Sequence, residues 1–66
     1  MVVHPPVRTG GRPVSVRGEV VALARNVADV LAVVGRIGIV LDPEEAAITP
    51  LIEWQGGGIH AWRTSR

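Results

Sequence analysis

The sequence predicts an all-α protein, a two-helix hairpin with an extended N-terminal arm over residues 1–18 and the hairpin over residues 19–66. Three observations lead to this fold class. Aliphatic residues recur at helical spacing between residues 16 and 41, a strong helix-start signal follows at Asp42, and a second apolar pattern covers residues 48–62. Together they predict two helices joined by a tight link.

The first predicted helix depends on aliphatic residues at alternating spacings of four and three, which place them on one helical stripe, the a and d positions of a coiled coil. The pattern predicts a helix from near Gly18 to somewhere between Val34 and Leu41. Gly35 and Gly38 leave its end open, since they could terminate the helix before a short extended run. The unbroken heptad favours a continued helix. Its members are Val16, Val20, Leu23, Val27, Val30, Val34, Ile37 and Leu41.

The second predicted helix begins at the run Asp42-Pro43-Glu44-Glu45. Asp42 is a suitable N-cap, Pro43 fits the first helical position, and Glu45 three residues after the cap completes a capping box. Pro50 removes a helical hydrogen bond and disfavours helical geometry at Thr49. We therefore expect this helix either to kink at Thr49 or to end after one turn and be followed by a new helix.

The apolar pattern continues after Pro50 and stays in phase across Gly56–Gly58. Three glycines in a helix cost about 3 kcal/mol relative to alanine, so a helix there needs a backbone packed directly against it. The alternative ends the helix at Gln55 and makes Ile59–Arg63 a separate turn. The pattern consists of Ile48, Ile52, Gln55, Ile59 and Trp62.

The N-terminal arm is rich in proline, glycine and valine, and Pro5-Pro6 and Gly10-Gly11 interrupt any helix. Val14–Val16 suits a short strand-like piece. The arm carries three arginines and no acid, whereas residues 19–66 carry four arginines and six acids. The arm is therefore either a disordered tail, a segment that orders along a neighbouring subunit, or a nucleic-acid contact. It lacks the apolar core of a signal peptide.

Catalytic chemistry has little support in the composition. The chain has no cysteine and two histidines, so we expect no disulfide, no metal site and no cofactor. Glu53 and His60 are seven residues apart and form the one acid–base pair worth naming. We interpret Glu53 as a helix-capping residue and His60 as a surface residue. The sequence therefore predicts a protein that is not an enzyme and has no catalytic residues.

Association with another chain is the predicted role, because 66 residues bury only about 60% of their unfolded surface and no disulfide or metal assists. The long aliphatic stripe needs a partner, either a second copy or a larger structural protein, and two tryptophans suit interface anchors. The predicted interface residues are Val20, Leu23, Val27, Val30, Val34, Ile37, Leu41, Trp54, Ile59 and Trp62, with arm contacts from Arg8, Arg12 and Arg17.

A membrane hairpin is the rival interpretation. The span from Val20 to Leu41 is long enough to cross a bilayer, and a return pass from Ala46 to Trp62 would nearly do so. Each charge at the centre of a span costs about 2.5–3.5 kcal/mol, and each valine returns only a few tenths. The charges that oppose insertion are Arg25, Asp29, Arg36 and Glu53.

The run Gly38–Trp54, with its G-x-x-L-D-P-E motif, and the later Ala61-Trp62-Arg63 resemble small helical-hairpin proteins of actinobacterial phages. Those proteins occur among virion genes and, as holin-like proteins, among lysis genes. The resemblance covers residues 20–63 and implies a virion accessory subunit of the capsid, neck or tail, found in the virion or host cytoplasm. The uncovered aliphatic stripe predicts that such a subunit is a homo-oligomer. Alternatives are a holin-like inner-membrane protein, from which the charged first helix departs, and a small DNA-binding regulator. The scattered arginines and the lack of a basic recognition helix argue against nucleic acid as a partner.

Overall fold

A computed structural model describes residues 1–62 and shows a mixed four-stranded sheet with two short helices. The prediction of an all-α hairpin is wrong, and the chain is an α/β protein. The strands are β1 (Val2–Val3), β2 (Arg12–Val16), β3 (Glu19–Ala24) and β4 (Glu53–Trp54), in the sheet order β3-β2-β1-β4. The helices are α1 (Val27–Arg36) and α2 (Pro43–Ile48).

Strands β2 and β3 form an antiparallel hairpin across a two-residue turn, Arg17-Gly18. Both residues have positive φ angles, 55° and 82°, which is the geometry of the tight turns that match strand twist. The β-branched residues on either side favour a pleated strand over a helix. The predicted helix start near Gly18 is therefore wrong, and Val16, Val20 and Leu23 belong to strands.

A β-bulge explains why the hairpin has the spacing of a helix. Ser15 lies opposite Val20 and Val14 lies opposite Ala22, which leaves Val21 as an extra residue in β3. The extra residue puts Val20 and Leu23 on the same sheet face although they are three residues apart, because Leu23 lies opposite Pro13. The bulge therefore lengthens the interval between two residues on the same strand face from two residues to three, which is also a helical spacing.

Strand β1 lies in the interior of the sheet and joins the two ends of the described chain. It pairs antiparallel with β2 and parallel with β4, with Val3 opposite both Val14 and Trp54. Glu53 N–H donates to the Met1 carbonyl oxygen at 2.8 Å, next to this pairing. Residues 1–18 thus contain two of the four strands, and the predicted domain boundary at residue 18 falls within the hairpin turn.

Helix α1 is much shorter than predicted. Asn26 caps its start by accepting a hydrogen bond from Asp29 N–H at 3.0 Å, and the helix ends at Arg36. Gly38 follows with a φ of 89°, a conformation that ends helices readily, so the alternative in which the glycines terminate the helix is correct. Ten residues are too few for a coiled coil, which needs at least three heptads, and the coiled-coil prediction is wrong.

We expect Gly35→Ala to stabilise the protein by about 0.5–1 kcal/mol, because alanine has the higher helix propensity. A Cβ atom at Gly35 meets no other atom within 4 Å. Thermal unfolding followed by circular dichroism should show Tm higher by about 2–8 °C. Gly38→Ala is the matched control, because its site is equally open but has a positive φ, and its Tm should fall. A lower Tm for Gly35→Ala would contradict the assignment.

The start of α2 is as predicted. Glu45 N–H donates to Asp42 Oδ1 at 2.8 Å, Asp42 N–H donates to Glu45 Oε1 at 3.0 Å, and Pro43 occupies the first turn. The helix ends at Ile48 because the following Thr49 is extended ahead of Pro50. A turn and then β4 follow, so the prediction of further helix after Pro50 is wrong.

The core lies between one face of the sheet and the two helices. It contains residues from three strands, both helices and the turn before β4, and it is built mainly from valine and alanine. Among residues 1–62, neither helix reaches the length and apolar character that a membrane crossing requires, unlike the helices of the rival membrane hairpin. The core residues are Val3, Val14, Ala24, Val30, Val33, Val34, Ala46 and Ile52.

Candidate interaction surface

Arg12 is fully buried, and its guanidinium is held entirely by backbone carbonyl groups. Its Nε donates to the His4 oxygen at 2.9 Å. One terminal nitrogen donates to Gly58 and Ala61 at 2.7 and 2.8 Å, and the other donates to Gln55 and Gly57 at 2.7 and 2.9 Å. All five N–H groups of the side chain are therefore satisfied. Arg12 fastens the loop after β4 to the sheet.

Two tryptophans enclose the same guanidinium. Its central carbon lies 5.2 Å from the centre of the Trp54 ring and 5.5 Å from that of Trp62, within cation–π range. The two rings meet edge to face at 6.3 Å. Trp54 Nε1 donates to the Ala46 carbonyl oxygen at 3.0 Å, which also ties α2 to this cluster. Both tryptophans are thus half-buried and pack against their own chain.

The burial of Arg12 lowers the pKa of its guanidinium from the ordinary value. Arginine nevertheless stays protonated in proteins, so the buried group is a cation. The carbonyl dipoles and ring faces substitute for the lost water. The predicted role of Arg12 in contacting a partner does not match this position, since its side chain lies inside the chain. Arg12 lies two and four residues before Val14 and Val16, so strand alternation would have placed its side chain on the same face as theirs, the core face.

The other predicted interface residues divide into three sets. Val30 and Val34 are in the core. A second set is half-buried, and all of its members except Val27 pack against that core. A third set is exposed, and it includes the predicted arm contacts Arg8 and Arg17. The half-buried set is Val27, Leu41, Trp54, Ile59 and Trp62, and the exposed aliphatics are Val20, Leu23 and Ile37.

The exposed aliphatic residues of β3 and the residue after α1 are here named the β3 surface. They are Val20 and Leu23, on the sheet face opposite the helices, and Val21 and Ile37, on the helix side. Val20 is 63% exposed, and the other three are 45–49% exposed. Val21 is the bulged residue of β3 and was not predicted. Val40, Ile48 and Leu51 are further exposed aliphatics near α2, and sequence reasoning also missed them as surface residues.

A groove, here named the β3–α1 groove, runs between β3 and α1. One part, of about 230 Å³, is lined by Ala22 and Leu23 from the strand and by Asp29, Ala32, Val33 and Arg36 from the helix. The other part, of about 290 Å³, adds Val16, Val21 and Ile37 and is almost entirely apolar. The groove therefore has an aliphatic floor, with Asp29 lining the first part and Arg36 lining both parts.

The backbone of β3 offers hydrogen-bonding groups on its outer side. Pro13 has no N–H, and its carbonyl oxygen accepts from His4 N–H at 2.9 Å, so it offers nothing to β3. Leu23, which lies opposite Pro13, therefore directs its N–H and C=O away from β2. Val20 lies opposite Ser15, which alternation also turns towards β1, and directs its groups outward as well. Among residues 1–62, no strand pairs with this edge.

A hydroxyl–imidazole pair links β1 to β2. His4 Nε2 lies 2.8 Å from Ser15 Oγ, the distance of a hydrogen bond. Such a pair occurs in nucleophilic catalysis, but Ser15 is only 5% exposed and cannot present its oxygen to a substrate without a rearrangement of the sheet. The pair therefore acts here as a cross-strand tie.

The remaining candidate chemistry is dispersed. Glu53 lies in β4, where Gln55 Nε2 donates to its Oε2 at 2.6 Å, whereas His60 is an exposed residue of the later turn. Residues 1–62 contain no group of three or more metal-ligating side chains. No protein-family model, curated protein or solved structure matches the chain. The β3 surface and the β3–α1 groove are thus the features that need a functional explanation.

Proposed function

We propose that this chain is a non-enzymatic interaction protein that binds another polypeptide through the β3 surface and the β3–α1 groove. The observation that carries the proposal is an edge strand of six residues with exposed aliphatic side chains and outward-facing backbone groups. Proteins usually protect such edges with lysine, proline or a covering segment. β3 contains neither residue, and the features that can limit pairing are its bulge and the charge of Glu19 at its first position.

The proposal retains only part of the role expected from the sequence. The virion and holin-like roles were expected of a helical hairpin, and this chain is not one, so they have no support from the fold. Association through exposed aliphatic residues does not depend on that hairpin. A DNA-binding role also loses one of its three N-terminal arginines as a contact, because Arg12 is interior.

A photo-cross-linking amino acid in place of Ile37 tests the proposal directly. Ile37 is 49% exposed and lines the groove, so the probe can be placed there without disturbing the core. Irradiation of cells that produce the protein should give a discrete adduct of higher mass. Mass spectrometry of the adduct then identifies the bound polypeptide.

The matched control places the same probe at Val40, which is 93% exposed and lies outside the groove. We expect little or no discrete adduct from Val40, because no contact is proposed there. Equal adducts from both positions, or none from Ile37, would overturn the proposal. Circular dichroism of the two purified variants checks that both retain the fold.

A further inference from the structure

We propose that the polypeptide that binds the β3–α1 groove is a second copy of this chain, whose β3 pairs antiparallel with the first. This inference depends on the proposed function, since it uses the same surface. The pairing would join the two four-stranded sheets into one continuous sheet across a two-fold axis. Self-pairing of edge strands is a common mode of strand addition.

The bulge in β3 determines the register of this pairing. Val20 and Leu23 are the residues whose backbone groups point outward, and the bulge brings them to adjacent bonding positions along the edge. Antiparallel pairing of Leu23 with Val20 of the second copy satisfies both positions on both chains. Val21 of each copy then lies opposite Ala22 of the other, on either side of the axis. The bulge of one copy lies opposite the bulge of the other, so the bulge does not block pairing.

The side chains agree with the same register. Val20 and Leu23 lie on the sheet face opposite the helices, because their partners in β2 are Ser15 and Pro13. Pairing places Val20 of each copy beside Leu23 of the other on this face. Aliphatic cross-strand pairs of this kind stabilise sheets, and here they would cover the exposed parts of both residues.

The helical wall of the groove is self-complementary in charge. Asp29, Ala32 and Arg36 follow one another along α1 and line the groove. A two-fold axis at the centre of β3 runs the two α1 helices antiparallel, so Asp29 of one copy lies towards Arg36 of the other. Ala32, the small residue between them, lies nearest the axis and permits close approach. A foreign peptide would need matching charges of its own, whereas a second copy supplies them by symmetry.

The two ends of β3 are also self-complementary in charge. Glu19 begins the strand and Arg25 follows its last residue, so antiparallel pairing brings opposite charges together at each end. Parallel pairing would instead place like charges side by side. The contact is confined to one strand edge and one helix, and it is smaller than a standard interface. We therefore expect a concentration-dependent dimer with a weak, micromolar dissociation constant.

Two substitutions at Leu23 test the strand pairing, measured by sedimentation equilibrium over a range of concentrations. Leu23→Ala and Leu23→Pro both remove the leucine side chain, but only proline removes the outward N–H group. That N–H does not bond to β2, so proline at this edge position spares the hairpin ladder. We expect the alanine variant to dimerise several-fold more weakly than the native chain. The proline variant should be weaker by roughly a further tenfold or more.

Amide hydrogen exchange gives a readout that does not depend on the proline variant folding. The Val20 and Leu23 amides should become protected as the native chain is concentrated, while the exposed Gly18 amide should not.

Arg36→Glu, at an exposed residue, should weaken dimerisation because it faces Asp29 of the other copy with like charge.

The outcomes separate this inference from the proposed function. A dimer whose Val20 and Leu23 amides stay unprotected would overturn strand pairing, although association through the β3 surface would stand. A chain that remains monomeric at every concentration, with an Ile37 adduct to a different protein, would overturn self-pairing alone. Loss of the Ile37 adduct altogether would overturn both.

Discussion

Replacing Arg12 with methionine is expected to unfold the protein at room temperature. The substitution keeps a long side chain but removes every donor to five backbone carbonyl oxygens. A buried acceptor left without a donor costs about 1–3 kcal/mol, although some of these carbonyls would regain water as the loop opens. Even a net loss of about 4 kcal/mol is comparable to the whole stability of a domain this small.

Arg12→Lys should fall between the methionine variant and the native chain. Lysine keeps the charge but offers three donors from a single point, so it cannot reach carbonyl oxygens on both sides of a planar guanidinium. Urea unfolding followed by tryptophan fluorescence measures these differences, because both rings lie against Arg12. Arg8→Met and Arg17→Met are the controls, since both side chains are exposed, and each should change stability by less than about 0.5 kcal/mol. Equal stability of Arg12→Met and the controls would contradict the role assigned to Arg12.

Gly56→Ala is expected to be nearly as damaging. A Cβ atom there would lie 2.6 Å from Pro5 Cβ and 3.0 Å from Pro5 Cα, and Gly56 has a φ of 74°. The backbone of Pro5 cannot move aside, because neighbouring His4 is held by Arg12 and by Pro13. We expect a loss of about 2–4 kcal/mol from overpacking and strain together.

Gly58→Ala is the matched control for Gly56→Ala in the same glycine run. It has no positive φ, and a Cβ atom would meet nothing within 4 Å. Its unfolding free energy should remain within about 0.5 kcal/mol of the native value. Thermal and urea unfolding of the two variants measures the contrast. If both alanines were tolerated equally, the close packing of Gly56 on Pro5 would be refuted.

Signals that act over a few residues were the ones that predicted structure correctly. The capping box at Asp42 is formed by side chains bonding to backbone three residues away, so the sequence alone determines it. The first helix failed because a stripe of aliphatics at intervals of four and three also fits a bulged hairpin followed by a helix. The Arg17-Gly18 turn has a weak signature, since asparagine or aspartate usually precedes the glycine in such turns. The sheet order depends on β1 pairing with β4, far away in sequence, which no local pattern reveals.

The candidate site was predicted in part and for a reason that does not hold. Val20, Leu23 and Ile37 were named as members of a helical stripe. Val20 and Leu23 are in fact exposed because they lie on the uncovered face of an edge strand, and Ile37 because it follows the end of α1. Val21 was missed because a bulge has no sequence signature of its own. The position of Arg12 could have been inferred from strand alternation, but its carbonyl partners come from a loop 43–49 residues later, together with His4. No pattern in the sequence connects them.

The distance in sequence between Arg12 and its carbonyl partners constrains how the protein can fold during its synthesis. The β2–β3 hairpin consists of neighbouring segments and can form as soon as it leaves the ribosome, while Arg12 is still hydrated. The carbonyl groups that replace this water belong to residues 55–61, which are translated much later. Until then the nascent chain cannot bury the guanidinium without leaving its charge and its N–H groups uncompensated. The last turn of the described chain therefore acts as a latch on the first half, which can complete its folding only after residues 55–61 have been synthesised.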